Sequence, residues 1–429
     1  MEKLKSKFKS NPLFVVFFTV FVDLVGFGIL IPVIPQLLTN PHSQYFLLPN
    51  GFSINQGYII FGFLTAIYPL MQFVATPILG QLSDKYGRKR ILAISLSGTC
   101  LSYLIFAFGI ITKNLPLLFI SRAFDGITGG NVSVAQAAIA DITTPENRSK
   151  NFGLIGAAFG LGFVIGPYIG GKLSDPNILS WFNATTPFFF AAILSFINVL
   201  CLMLIFPETN IHLDKLKKLN IVESVVNITK AFNLRSLRSI FLTIFVFNAG
   251  FTFFTTFASV FFIYRFGWNQ GNIGDFFAYV GIWISISQAV VTRQISKHLS
   301  EDQVLKFSLL LTGVGILAIF LANQWWQLLI IVPFFAIFNG LSLANTSGLI
   351  SRSVDDKVQG EVLGISSSVQ ALAQSLPPMI SGYIPSISFT LFGLLVKFTP
   401  ETPILFSSIT IIISGILFIL FYKSKKLIK

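Results

Sequence analysis

Charge is what this chain has least of: 11% of its 429 residues are Asp, Glu, Lys or Arg, against 53% that are hydrophobic. Cysteine is nearly missing too. The two present, Cys100 and Cys201, lie inside apolar runs, which excludes a disulfide framework and leaves them as small packing residues. No His/Cys/carboxylate cluster stands at metal-ligand spacing, and there is no nucleophile elbow and no Walker-type phosphate loop. The expectation is therefore no metal, no cofactor and no enzyme. His42, His212 and His298 all fall in polar connections, where a solvated imidazole is the simplest reading.

What the chain has in excess is apolar length. Its 48 phenylalanines exceed what one water-soluble core of this size can bury. Crossing the hydrocarbon layer takes about 20 apolar residues. Runs of that kind recur near 13–37, 58–80, 91–111, 115–139, 152–173, 186–206, 240–263, 273–292, 304–322, 326–350, 361–384 and 403–422. The expected fold is an all-α membrane protein of twelve transmembrane helices in two six-helix bundles. Lys3, Lys5, Lys7 and Lys9 give the first run a signal-peptide-like start, but the run is too long for a signal core and no small-residue cleavage site follows, so it reads as span one.

The formal charge of +13 raises nucleic acid as a partner, and the placement of the bases argues against it. Of the 30 Lys and Arg, 25 fall on one side of the expected spans and 4 on the other, and Arg122 lies within a span. That is the positive-inside pattern, so both termini are expected in the cytoplasm and the basicity is topological. The expected partner is then the bilayer and not nucleic acid, with the chain working as a monomer.

The one long polar stretch, 207–239, separates an N-terminal half, 1–206, from a C-terminal half, 240–429. Within it Leu213, Leu216, Val222, Val225 and Phe232 recur at roughly helical spacing between lysines, as in an amphipathic helix on the inner membrane surface. The halves also match each other. A shift of 211 places Gly129 on Gly340, Gly153 on Gly364, Pro167 on Pro378 and Gly171 on Gly382. In the same register Asp141 meets Arg352, Glu146 meets Lys357 and Lys150 meets Glu361, with signs exchanged. Parallel repeats with a site between them are a transporter architecture.

Three local motifs carry a resemblance. The stretch "GQLSDKYGRKR" between spans two and three supplies Gly80, Leu82, Asp84, Gly87, Arg88 and Lys89 at the positions of the charged loop of the major facilitator superfamily. Arg122 in "RAFDGITGG" resembles that family's intramembrane arginine motif, and "GFVIGPYIGG" resembles its antiporter motif in span five. The blocks "FVDLVGFGILIPVIP" and "ADITTPENRSKNFGLIGAAFGLGFVIGP" look like the tetracycline-exporter branch of the drug:proton antiporters, a likeness that returns at "SRSVDDKVQGEVLG". The resemblance implies a latch of Gly80, Asp84, Gly87, Arg88 and Asp141 that breaks and remakes during transport. It implies an antiporter helix built on Gly162, Gly166, Pro167, Gly170 and Gly171; close helix packing alone also accounts for those glycines. One departure stands out. Tetracycline exporters carry a carboxylate in span nine, and none lies between Val304 and Ala322.

Ionisable groups inside the hydrocarbon point to function. Those well inside are Asp23, Arg122 and Asp125. At 1.5 Å per residue Asp23 and Asp125 each lie roughly 15 Å from one membrane face, and Arg122 and Asp125, three apart, share a helix face. They are the candidate proton-coupling residues, because burial favours a neutral carboxyl and a nearby guanidinium an ionised one. Asp125 either shares the proton or only neutralises Arg122. The candidate substrate cavity comprises Asn248, Thr252, Thr255, Asn339 and Gln370, neutral polar groups among phenylalanines that suit an amphipathic organic molecule; hydrogen bonding between helices is the alternative for each. The function read from this is proton-coupled export of a small amphipathic molecule or drug. Transport of a dedicated metabolite or siderophore, and a non-transporting membrane sensor, are the alternatives.

Overall fold

The structure, a computed structural model, describes residues 12–143, 148–210, 213, 219–233, 237–352, 359–391 and 394–422. Its helices are α1 (Pro12–Leu38), α2 (Ile54–Tyr86), α3 (Arg88–Ile111), α4 (Leu115–Thr128), α5 (Asn131–Ile142), α6 (Arg148–Leu173) and α7 (Thr186–Ile205). After the linker helix α8 (Glu223–Asn233) come α9 (Arg238–Phe266), α10 (Gln270–Ile295), α11 (Glu301–Leu321), α12 (Gln327–Arg352), α13 (Gln359–Tyr383) and α14 (Thr402–Phe421). Local chemistry sets many boundaries. Proline sits in the first turn of α4, α7 and α14, where its missing N–H costs nothing. Asn114 caps α4 by accepting from the Leu117 N–H at 3.2 Å. Gly267 closes α9 at φ 64°, a left-handed position that glycine adopts without strain.

Nine described helices are long and apolar enough to cross a membrane: α1, α2, α3, α7, α9, α10, α11, α12 and α14. The other expected crossings fall short for identifiable reasons. Span four is divided at Gly129 and Gly130 into α4 and α5, of 14 and 12 residues. Helices α6 and α13 have the length, but Gly, Ser and Gln dilute their hydropathy. One departure from the all-α expectation lies among the described residues: Ser388–Leu391 (β1) pairs antiparallel with Leu394–Lys397 (β2), Ser388 opposite Lys397. Large apolar side chains such as Leu204, Ile330 and Leu420 stay exposed, as helices facing lipid tails require.

The chain forms two compact units, Met1–Val33 with Ile67–Ser224, and Ile34–Ala66 with Val225–Lys429. The first has a core of Val16, Val20, Leu92, Leu96, Val134, Ala138 and Leu202, drawn from α1, α3, α5 and α7. In the second, α14 lies against α9 and α11 at two glycines. Ser407 Oγ donates to the Gly250 carbonyl at 2.7 Å and Ser408 Oγ to the Gly313 carbonyl at 2.8 Å. A turn of π-helix, Ser287–Val291, interrupts α10 where Ser287 Oγ donates to the Ile337 carbonyl at 2.6 Å.

The linker differs from its expected form. Of the apolar residues assigned to an amphipathic helix, Val225 and Phe232 fall in α8; Leu213 and Val222 precede it, and Leu216 lies outside the described residues. The helix buries Asn227 and Ala231, and Asn227 Nδ2 donates to Ser368 Oγ on α13 at 3.3 Å. Ile221, Val222 and Val225 remain exposed. Of the charge pairs with exchanged signs, Glu146 and Lys357 lie outside the described residues, as do the side chains of Lys150, Arg352 and Glu361.

Arg265 holds three helix ends of the second unit together. Its guanidinium engages Glu401 bidentately, one bond measuring 2.7 Å, and donates to the Ala322 and Phe320 carbonyls at 3.0 and 3.3 Å, the orphan C-terminal acceptors of α11. Arg265→Ala leaves Glu401 unpaired and those carbonyls uncapped, so the protein should lose on the order of 2 kcal/mol of stability. Thermal unfolding in detergent checks this: Arg265→Lys, which keeps charge without the fork, should fall between the two, and an unchanged melting temperature in Arg265→Ala counts against the clamp.

Candidate functional site

Two polar constellations lie in the first unit, one at the α2–α3 loop and one buried among the spans. The loop is organised around Arg88, which is 7% exposed. Its Nη1 pairs with Asp84 Oδ1 at 2.6 Å and donates to Ser83 Oγ at 2.5 Å, and its Nε donates to Asp141 Oδ2 on α5 at 3.0 Å. Glu208, just beyond α7, completes the set. Its two carboxylate oxygens accept from the backbone N–H groups of Arg88 and Lys89 at 2.8 and 3.2 Å, so an anion sits on the α3 N-terminus, where orphan donors and the helix dipole favour it. Gly87 makes this possible: at φ 98° it occupies a region that side chains avoid, and an added Cβ would collide with the Glu208 carboxylate. Gly80 has no such duty. It lies within α2, and a Cβ there meets only Ser133 Oγ at 3.7 Å, so the turn belongs to Gly87.

The buried constellation starts at the break in span four. Gly126, Gly129 and Gly130 let this segment lie on the α2 backbone, an added Cβ at Gly130 coming within 2.9 Å of the Thr76 Cα. On the adjoining face Arg122 Nη1 pairs with Asp125 Oδ2 at 2.6 Å, and both residues are buried, 4% and 3% exposed. The guanidinium carbon also stands 4.4 Å from the centroid of the Tyr68 ring, a cation–π contact. Asp23 belongs to the same neighbourhood, within electrostatic reach of Asp125, Tyr68 and Tyr103. Both of its carboxyl oxygens are buried and neither has a hydrogen-bond partner.

The antiporter-type glycines lie behind Asp23. An added Cβ at Gly166 would come 2.7 Å from the Val25 carbonyl oxygen and 2.9 Å from the Gly28 Cα, and one at Gly170 would come 2.6 Å from the Ile29 carbonyl oxygen. Gly162 faces Leu24, and Pro167 meets Gly28. Helix α6 therefore presents bare backbone to α1 over the turns that follow Asp23. Gly171 accepts from Ser174 Oγ at 3.1 Å.

The polar residues expected to line a cavity behave unequally. Asn248 donates to the Ile244 carbonyl, Thr252 to the Asn248 carbonyl and Thr255 to the Thr252 carbonyl, and Gln370 donates to Ser366 Oγ, all within their own helices. Asn339 is fully buried and leaves both amide atoms unbonded. The α11 carboxylates, Glu301 and Asp302, occupy its first turn, so the central part of that helix carries none. Sequence reading missed Glu208, Asn131, Tyr68 and Tyr103, because each reaches the site from another helix. A Glu immediately after span six and an Asn immediately after a Gly-Gly pair were the signals available.

A helical chain of this hydropathy, with a charged loop bound to neighbouring helix ends and ionisable groups buried among its spans, is built as a polytopic membrane transporter. It belongs to the Major Facilitator Superfamily, whose sequence profile matches residues 16–378. It is 32% identical over 374 residues to the class H tetracycline resistance protein of Pasteurella multocida, covering 86% of this chain and 87% of that one. It is 25% identical over 387 residues to multidrug resistance protein 2 of Bacillus subtilis, covering 89% and 90%. In fold it resembles a D-xylose–proton symporter, with a TM-score of 0.77 at 16% identity over 97% and 99% of the two chains. A human organic anion transporter gives 0.70 at 22% identity over 95% and 98%.

Two predictions come from this geometry. Asp84→Asn, Arg88→Ala and Glu208→Gln should each insert at normal abundance yet slow transport about tenfold, the change that ~1.4 kcal/mol on a barrier produces. Vesicle transport normalised to protein level is the measurement, and wild-type rates in all three would remove the loop from the cycle. Gly166→Leu should separate α6 from α1 and abolish coupled transport, since its side chain has no room at Val25. Normal coupled transport by that variant would show that the contact can open without consequence.

Proposed function

We propose that this chain exports small amphipathic organic molecules of the drug type in exchange for protons, and that Asp23 carries the coupled proton. The observation that carries the reading is the isolation of the Asp23 carboxyl. The Arg122–Asp125 pair is closed and sums to no charge, so the buried cluster has one net negative charge when Asp23 is ionised and none when it is protonated. A net charge enclosed in low dielectric is costly. The ionised form is therefore suited to a state in which Asp23 meets water, and the protonated form to an occluded one. Asp125 serves in this reading to neutralise Arg122.

Export is supported by the relatives, which carry the names of tetracycline and multidrug resistance proteins. Tetracycline itself is not the proposed substrate, because α11 lacks the mid-helix carboxylate that the exporter branch carries there. The aromatic surroundings of α9 and α12, with Phe251 beside Phe254 and Phe254 beside Phe335, together with the unbonded amide of Asn339, suit a largely apolar ligand with few polar groups. The remaining assignments belong to the same proposal. They are twelve crossings in two halves joined by 207–239, both termini in the cytoplasm of an inner-membrane protein, a monomeric carrier without cofactor, and no nucleic-acid partner.

Asp23→Asn tests the reading. An amide imitates the protonated acid and cannot release a proton, so the variant should bind substrate and exchange it downhill but fail to accumulate it against a gradient. Asp125→Asn should instead lower the detergent-extracted yield, since it strands a buried Arg122. Substrate-driven pH change in proteoliposomes, read beside yield, separates the two. Full proton-coupled transport by Asp23→Asn would end the proposal.

A further inference from the structure

The buried cluster contains a second isolated side chain. Asn131 is the first residue of α5, is 0% exposed, and has neither amide atom in a hydrogen bond. Its helix packs on α1, with Val134 and Ala135 sharing a core with Val20 and Leu24, and Asn131 interacts there with Asp23, whose two oxygens have no other polar partner. Two buried polar groups standing opposite each other and unsatisfied are costly, and such sites are held where a change of state uses them.

The other charged or titratable groups near Asp23 are already occupied or unsuited. From α4, Arg122 pairs with Asp125 through Nη1 and stacks on Tyr68, while its Nε is buried and unbonded. From α2 and α3 come the phenols Tyr68 and Tyr103, and Tyr68 Oη accepts from Gln72 at 3.4 Å. The described part of α6 facing this turn of α1 is glycine and apolar, and α7 brings Asn198, which accepts from Thr19 Oγ1 at 3.2 Å one turn away. Asn131 offers a donor and an acceptor on separate atoms, both unbonded, and these are the two things a titrating carboxyl needs in turn.

We propose that Asn131 is the positioning residue for the coupled proton. With Asp23 ionised, Asn131 Nδ2–H donates to the carboxylate; with Asp23 protonated, the acid O–H donates to Asn131 Oδ1. Asn131 neither gains nor loses a proton, which comes from water on one side and leaves to water on the other. Rotation about the soft terminal torsion of the amide exchanges the two arrangements. The place in the fold supports this. The Gly129–Gly130 break puts Asn131 at a helix start, where the first N–H groups have no intrahelical acceptor and favour a nearby anion. The proposal deepens the reading of Asp23 as the proton carrier and rests on it.

The test needs no knowledge of the substrate. The full-length protein in lipid is titrated by infrared spectroscopy, and the protonated-carboxyl band that disappears in Asp23→Asn is assigned to Asp23. The bond to an ionised acceptor is the stronger of the two, so losing Asn131 costs the carboxylate more than the acid. Asn131→Leu should move the midpoint of that band toward alkaline pH by about half a unit or more, roughly threefold in proton affinity. Asn131→Ser, which keeps a donor and an acceptor, should recover part of the shift. If Asn131→Leu does not accumulate, Asn131→Ala is read in the same way. An Asp23 band that titrates with the wild-type midpoint in the apolar variant overturns the role of Asn131 and leaves Asp23 as the carrier. The absence of any titrating band lost in Asp23→Asn overturns both.

Discussion

The closed Arg122–Asp125 pair is the constraint on which the buried site depends. Because the two residues are three apart on one helix, the pair forms without any other helix having to arrive, and it holds its charges at 2.6 Å in a place that water does not reach. An arginine at that depth without a resident carboxylate would have to draw on Asp23, and the two spans would then be tied by a bridge too costly to open. With the charge settled inside α4, the proposed function leaves Asp23 as the carboxyl that titrates, and the bordering groups can be neutral. They are: two phenols, a carboxamide and glycine backbone.

Packing in a bilayer cannot draw on the hydrophobic effect, so close helix pairs rely on small residues and backbone contact. Helix α6 supplies this to α1, its Gly166 and Gly170 lying against the backbone of Val25, Gly28 and Ile29. The second unit contains a related contact, in which Pro378 corresponds to Pro167 under the internal shift of 211. Gly382 of α13 meets the Tyr58 carbonyl of α2, where an added Cβ would lie at 2.7 Å, and Gly62 lies against Pro378 and Gly382 in return. Two proline–glycine segments thus carry out the same steric task, one in each unit.

Much of this was legible because it is local. Apart from span four, which breaks at Gly129 and Gly130, apolar run length marked the spanning helices to within a few residues, the Arg122–Asp125 spacing implied the pair, and the loop motif placed Arg88 beside Asp84 four residues away. What escaped was whatever arrives from a distance in sequence. Glu208 reaches Arg88 across 120 residues and Asn131 reaches Asp23 across more than a hundred, and no periodicity encodes such meetings. The polar stripe on α9 was legible as a stripe but not as back-bonded, since Asn and Thr bonding to the carbonyl one turn earlier look the same in sequence as Asn and Thr facing a ligand. A motif likewise fixes identity, while only the fold says that Gly87, at φ 98°, is the glycine that turns the chain.

The two polar constellations share one mechanical element, α5. Asn131 begins it beside Asp23, and Asp141, near its other end, accepts from Arg88 in the loop. A helix of 12 residues is about 18 Å long and has no soft torsion within it. Its start, by contrast, is the Gly129–Gly130 break, where the chain is held to α2 by close backbone contact and by a 2.8 Å bond from Gln72 Nε2 to the Gly129 carbonyl. A rearrangement at Asp23 that draws on Asn131 therefore acts on one end of a stiff rod whose other end carries an acceptor of the loop's central arginine. The loop is partly exposed and its bonds are individually weak, whereas the buried end is dry and each bond there is worth more. Any coupling carried by α5 is reciprocal: if protonation of Asp23 shifts the balance between a closed and an open loop, opening the loop shifts the proton affinity of Asp23 by the same factor.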